Sequence, residues 1–264
     1  MFDVGGFDVI ARLQPFSQLG YLAPGIRGGQ ALIVGDDQPH PFITAPTAAS
    51  TLDATVLQVR AKVNAQGAAR LTMSLQFRGV TAEQVREALE GQPASRLPQV
   101  YQQLLLGTYP DGVATGGKIL HLHHRAPTLT LQIQGEVPDF IRITGQTWEI
   151  HRLTGAVNLQ RKLASLAYRR YPLIIGGGMV EQARVSVQLP PQLAQLQLPA
   201  GANLVSSFGT FTTQYSETGG VLRFQRGLSL PAERISASQY PDFRRFAEQV
   251  TAADHTHIFG QVKS

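Results

Sequence analysis

The chain has 264 residues, 43% hydrophobic and 16% charged, a balance that belongs to a folded protein able to bury a core without covalent staples. It contains no cysteine, which excludes disulfides, thiolate metal centres and a cysteine nucleophile. Lysine and arginine outnumber the acids 23 to 18, for a formal charge of +5, and the local basic run Arg152, Arg161, Lys162, Arg169 and Arg170 reads as a solvated face, without the aromatic interleaving of a nucleic-acid module.

Met1-Phe2-Asp3-Val4 has none of the parts of a signal peptide, and no apolar run reaches the length of a membrane span. Residues 1–50 are rich in glycine and proline around one apolar run, Ala31-Leu32-Ile33-Val34, and read as an extended lead-in. The period then becomes two. Leu57, Val59, Ala61 and Val63 alternate with polar residues, as do Leu71, Met73, Leu75 and Phe77, around the turn Asn64-Ala65-Gln66-Gly67. This predicts a β-hairpin with one buried face. Thr81-Ala82-Glu83-Gln84 has the form of a capping box for a helix that stops near Gly91-Gln92-Pro93. Leu97, Val100, Tyr101, Leu104 and Leu105 place a second helix before Gly107.

Strands are expected at Ile119–His123 and Leu129–Ile133, and a hairpin from Phe140–Ile143 and Trp148–Ile150. Leu159, Leu163 and Leu166 permit a short helix. Beyond it Ala183, Val185, Val187 and Leu189 alternate, and Val205–Tyr215 pairs with Leu222–Leu230 across Glu217-Thr218-Gly219-Gly220. Ser238 is the expected cap of a helix whose apolar face is Phe243, Phe246, Ala247 and Val250, with Pro241 in its first turn. His257–Val262 closes the chain as a strand.

Many short alternating strands with frequent turns predict a mainly β protein, antiparallel β-sandwich units with a few packed helices, a β-rich α+β class. The order of elements places a lead-in over 1–50, a first unit over 51–150 with two short helices, and a second over 151–264 with a C-terminal helix. One continuous sheet with strands shared between the halves is the alternative.

Several segments carry the outline of a site. Gly112-Val113-Ala114-Thr115-Gly116-Gly117-Lys118 matches a phosphate-binding loop until Ile119 stands where a serine or threonine must hold magnesium, and it follows a helix rather than a strand. His121 and His123 on a strand would share a face as two metal ligands, beside His124, and His255 and His257 have the same spacing; histidines on solvent faces are the plainer reading. Gly176-Gly177-Gly178 after Leu173-Ile174-Ile175 reads as a hairpin connection. Asp36, Asp37, Asp53 and Asp111 have no paired carboxylate, and Trp148 reads as core. No catalytic, cofactor-binding or metal-binding residue is assigned on this basis, and no cofactor is expected.

A larger pattern is carried by Glu181–Leu189, Leu198-Pro199, Phe208-Gly209-Thr210-Phe211, Tyr215, Leu222–Leu230, Tyr240-Pro241, Phe243, Phe246 and Ala253-Asp254, with Gly20-Tyr21-Leu22-Ala23-Pro24-Gly25 and Gly28 upstream. It resembles the C-terminal β-sandwich region of bacterial transglutaminase-like proteins, which flanks a papain-like core. That core uses a Cys-His-Asp arrangement, and a chain without cysteine has no counterpart for it. The resemblance implies a non-catalytic accessory module, partnered in cis or in trans with a transglutaminase-like domain, in a parent protein that is exported or envelope-associated. An independent polymer- or envelope-binding module is the second expectation, with Phe208, Phe211 and Tyr215 as the aromatic row it would need on a sheet face. A histidine-dependent metallohydrolase built on His121 and His123 is the third.

Overall fold

A computed structural model describes residues 2–3, 8–9, 22, 27–32, 42–45, 53–123, 128–193, 195–231, 233–254 and 257–262. Two short hairpins come first, β1 (Phe2–Asp3) with β2 (Asp8–Val9) and β3 (Gln30–Leu32) with β4 (Phe42–Thr44). The long hairpin β5 (Ala54–Val63) and β6 (Ala69–Arg78) leads to α1 (Val80–Glu90) and α2 (Leu97–Leu106). Next are β7 (Val113–Leu120), β8 (Thr128–Val137), β9 (Arg142–Thr144) and β10 (Thr147–Ile150). Beyond residue 150 lie α3 (Leu159–Leu163), β11 (Leu173–Ile175), β12 (Met179–Gln188), β13 (Gln195–Gln197) and β14 (Asn203–Ser206). The chain continues through β15 (Gly209–Thr218), β16 (Val221–Leu230), β17 (Glu233–Ile235), α4 (Tyr240–Asp254) and β18 (Ile258–Gln261).

The large sheet has the order β14-β15-β16-β12-β5-β6-β8-β7. Every neighbouring pair in it is antiparallel except β12 with β5, which run parallel. Strands from both sides of residue 150 therefore share one sheet, and the boundary read from the sequence cuts across it. Both joining strands are long and apolar on one side. Leu57, Val59 and Ala61 stand beside Ala183, Val185 and Val187 in register, so joining them continues one buried surface.

That surface is the inner face of the sheet. A smaller sheet, β13-β18-β10-β9, lies over it, with Trp148, Ile150 and Ile258 packed in the same core as Val59, Met73 and Val185. At the β14–β16 end the cover is α3, α4 and the β11–β17 ribbon, which bury Phe211, Leu228, Phe243 and Phe246. On β8, α1 covers Leu129 and Leu131 with Ala82 and Leu89. The class is mainly β with packed helices, built from open sheets. Among the described residues no helix is long and apolar enough to cross a membrane.

Several local expectations change. Helix α1 starts at Val80, before Thr81, and Gly79 is its N-cap with no side-chain capping bond. The first-turn N–H of Val80 instead donates to Asp53 Oδ1 at 2.9 Å, and the other oxygen of Asp53 pairs with Arg27. A carboxylate at a helix start is favoured by the exposed N–H groups and their dipole. At α4 the box is Ser236 with Gln239 rather than Ser238: the Gln239 N–H donates to Ser236 Oγ, and the Ser236 N–H to Gln239 Oε1. The run Val205–Tyr215 breaks into β14 and β15, which pair with each other. Gly176–Gly178 is not a hairpin turn, since β11 pairs with β17 and not with β12. Of the lead-in strand, Ile33 and Val34 lie outside the described residues.

Candidate functional site

The phosphate-loop look-alike is sheet structure. Gly116 and Gly117 sit within β7 opposite Gln134 and Ile133. A Cβ on Gly117 would come within 2.7–2.8 Å of the Tyr101 ring, so this glycine makes room for α2 to pack on the strand. The histidine pair is also displaced. β7 ends at Leu120, and His121 takes a left-handed backbone with φ 67°, so His121 and His123 do not alternate along one strand. The buried Arg86 side chain holds this segment by donating to the carbonyls of His121 at 3.2 Å and Thr128 at 3.1 Å. Burial lowers the guanidinium pKa from its ordinary value, against the opposing pull of Glu83. His124 and His255 lie outside the described residues. Among the described residues no cluster of three or more His, Asp or Glu is placed to hold a metal ion.

Phe208, Phe211 and Tyr215 do not form an exposed aromatic row. Phe208 and Phe211 are buried against α4, and Tyr215 packs on Phe224 with ring centroids 5.0 Å apart. One exposed aromatic ring, Phe259, stands elsewhere, on the outward face of the small sheet. Gln197, Phe259, Glu149 and Arg142 are successive register partners across its four strands, and Gln261, Thr147 and Thr144 form the next row. His257 stacks along the strand on Phe259, ring centroids 6.2 Å apart, and meets His151 edge-on at 5.5 Å. His151 Nε2 lies 2.6 Å from Glu149 Oε1. The two rows, without the histidines, border an open cleft of about 570 Å³, within the size range of small-ligand sites. Its floor is the backbone over Trp148, whose indole N–H donates to the Gln261 carbonyl at 3.2 Å. Gly260 is the register partner of Trp148 across the ladder.

Four exposed large apolar side chains lie close together in sequence, on the connection from α3 to β11 and on β11 itself. Leu166 is 52% exposed, Tyr168 69%, Tyr171 79% and Ile174 67%. Arg169 and Arg170 stand between the tyrosines, and Arg234 is the register partner of Ile174. The loop is held from below. Buried Tyr240, at the start of α4, donates its hydroxyl hydrogen to the Leu166 carbonyl at 2.9 Å, and the Arg169 guanidinium lies 5.5 Å over the Tyr240 ring. Ala164 before the loop and Leu173 after it are buried. Fixed at both ends and in the middle, the loop presents its tyrosines with little ordering left to do on binding. The basic run of the sequence thus separates: Lys162 pairs with Glu181 at 3.1 Å, Arg169 stacks on Tyr240, and Arg161 and Arg170 remain exposed.

Residues 153–259 match the family model described as a domain of unknown function with a solved structure (DUF3858). The match takes in the tyrosine–arginine loop, α4 and most of the strands after residue 150. No curated protein matches the chain.

Proposed function

We propose that this chain is a non-catalytic interaction module that docks a transglutaminase-like catalytic domain, in the same polypeptide or as a separate chain. The observation that carries the docking role is the loop Leu166–Tyr171 with Ile174. Tyrosine and arginine dominate the energetics of protein interfaces, and a cluster of exposed apolar side chains on a rigid support marks such a surface. The identity of the partner rests on the ordered sequence resemblance. Tyr171→Ala is expected to weaken binding of a separately expressed transglutaminase-like domain by about 2 kcal/mol, roughly thirtyfold, with thermal unfolding unchanged. Titration calorimetry measures this. Wild-type chain that fails to bind the domain, or binds it equally after the substitution, defeats the docking reading. Turnover of peptide or ester substrates by the isolated chain defeats the non-catalytic one.

The exposed Phe259 on the small sheet favours a second reading, a module that holds an extended neutral polymer. An exposed ring flanked by amides, hydroxyls, one arginine and one glutamate suits the alternating apolar and hydroxylated faces of a sugar chain. Trp148, the one tryptophan of the chain, lies directly beneath the cleft and serves as a reporter. Phe259→Ala is expected to abolish the tryptophan fluorescence change seen on titrating cellohexaose or chitohexaose, while leaving stability within about 0.5 kcal/mol, as for other exposed positions. A wild-type protein whose fluorescence ignores both sugars removes this reading.

A further inference from the structure

The outward face of the large sheet carries a different chemistry. Its residues are the polar half of each alternating strand, and the pairing brings several cations together at its centre. Ser186 of β12 has Arg60 of β5 as its register partner on one side and Arg223 of β16 on the other. Arg184 lies two residues along β12, on the same face, between Gln58 and Gln225. The three arginines are exposed and border a shallow hollow of about 310 Å³ at the middle of the sheet. One residue pair further, Lys62 stands beside Gln188 and Arg70. Arg70 pairs with Glu136 at 2.9 Å, whereas Arg60, Lys62, Arg184 and Arg223 form no ion pair among the described residues.

Lys62 directly faces Arg70, and Arg184 is diagonal to both Arg60 and Arg223, so the cations repel one another and the repulsion is relieved when an anion is present. Adjacent strands are spaced by about 4.8 Å, which leaves the guanidinium groups within reach of acid groups on one chain laid across the strands. Gln58, Gln188, Gln214, Gln225, Ser186 and Ser216 surround the cations with neutral hydrogen-bonding groups on the same rows. The rows around the hollow contain no aromatic side chain, which argues against a single-stranded nucleic acid, because that binding relies on base stacking. They also lack the apolar anchor that a protein interface buries at its centre. Arginine with planar amides and hydroxyls matches a ligand that bears both carboxylates and hydroxyls.

We propose that this face binds an acidic polysaccharide, with Arg60, Arg184 and Arg223 taking its acid groups. The site is separate from the tyrosine loop and from the small-sheet cleft. The test uses the full chain with polygalacturonate as the acidic probe, uncharged dextran as its neutral counterpart and poly(dT) as a nucleic-acid polyanion. Binding to polygalacturonate is expected at low salt and to weaken as salt rises; dextran is expected to show none. The triple variant Arg60→Gln, Arg184→Gln, Arg223→Gln is expected to lose about tenfold or more in affinity while unfolding at the same or a higher temperature, since charge repulsion is relieved. Arg96→Gln, on the exposed turn before α2, is expected to bind as wild type. The proposal fails if polygalacturonate does not bind, if the triple variant binds it unchanged, or if poly(dT) binds as tightly. A triple variant that unfolds at a clearly lower temperature also overturns it, because the arginines would then be structural.

Discussion

Asp254→Ala is expected to lower folding stability by about 3–5 kcal/mol, the usual consequence of leaving one member of a buried ion pair uncompensated. Asp254 is at the end of α4 with a side chain 1% exposed, and its Oδ1 lies 2.7 Å from Arg226 Nη1, itself on a side chain 7% exposed. The same Arg226 nitrogen also donates to Thr154 Oγ1 and to the Gly155 carbonyl, and Asp254 Oδ2 accepts the Val157 N–H at 2.7 Å. One pair therefore ties β16, the segment 154–157 and the last turn of α4 together, between the two larger clusters of the core. Arg226 Nε has no acceptor among the described residues, and without Asp254 the guanidinium keeps only the neutral acceptors Thr154 Oγ1 and the Gly155 carbonyl. Urea denaturation of the wild type, Asp254→Ala and the double variant Asp254→Leu/Arg226→Met measures the effect. The double variant is expected to recover much of the loss, because neither charge remains buried. A single variant within about 1 kcal/mol of wild type would show that solvent reaches and screens the pair.

Phe211→Ala is expected to cost a similar amount, about 3–5 kcal/mol, because a large buried ring is replaced by a cavity. Phe211 is fully buried on β15, opposite Leu228 and in the cluster that joins the sheet to α4. Nearby, the Phe208 and Phe243 rings meet edge-on with centroids 5.6 Å apart, so the packing there is aromatic and does not collapse readily around a missing ring. Thermal and urea unfolding read the loss. The comparison with Phe259→Ala is the informative part: the sequence does not distinguish these two phenylalanines by neighbouring composition, yet one carries the core and the other half-faces solvent. Equal stability losses at both positions would contradict the assignment of Phe259 to the open face.

Local pattern accounts for most of the individual elements. The β5–β6 hairpin, the α2 helix, β12 and the apolar face of α4 were legible because strand and helix periods are written in neighbouring residues. The same holds for the mainly β class and the core position of Trp148. At α4 the capping pair that replaced Ser238 was local, Ser236 with Gln239, but at α1 and at His121 the deciding partner was distant in the chain. Thr81 looked like a cap, but Asp53 takes the helix start from 27 residues away. His121 left its strand at a segment that Arg86 holds.

The candidate surfaces follow the same division. The tyrosines and arginines of 168–171 are adjacent in sequence, and only their exposure, set by Tyr240 beneath them, needed the fold. The row Gln197, Phe259, Glu149 and Arg142 and the cluster Arg60, Arg184 and Arg223 each gather residues from separate strands, one per strand. By itself the sequence determined which side of each strand is apolar, because alternation is a property of the backbone. Only the tertiary structure decided which strands lie side by side, because strand order and register come from pairing β5 with β12 and β10 with β18 across long stretches of chain.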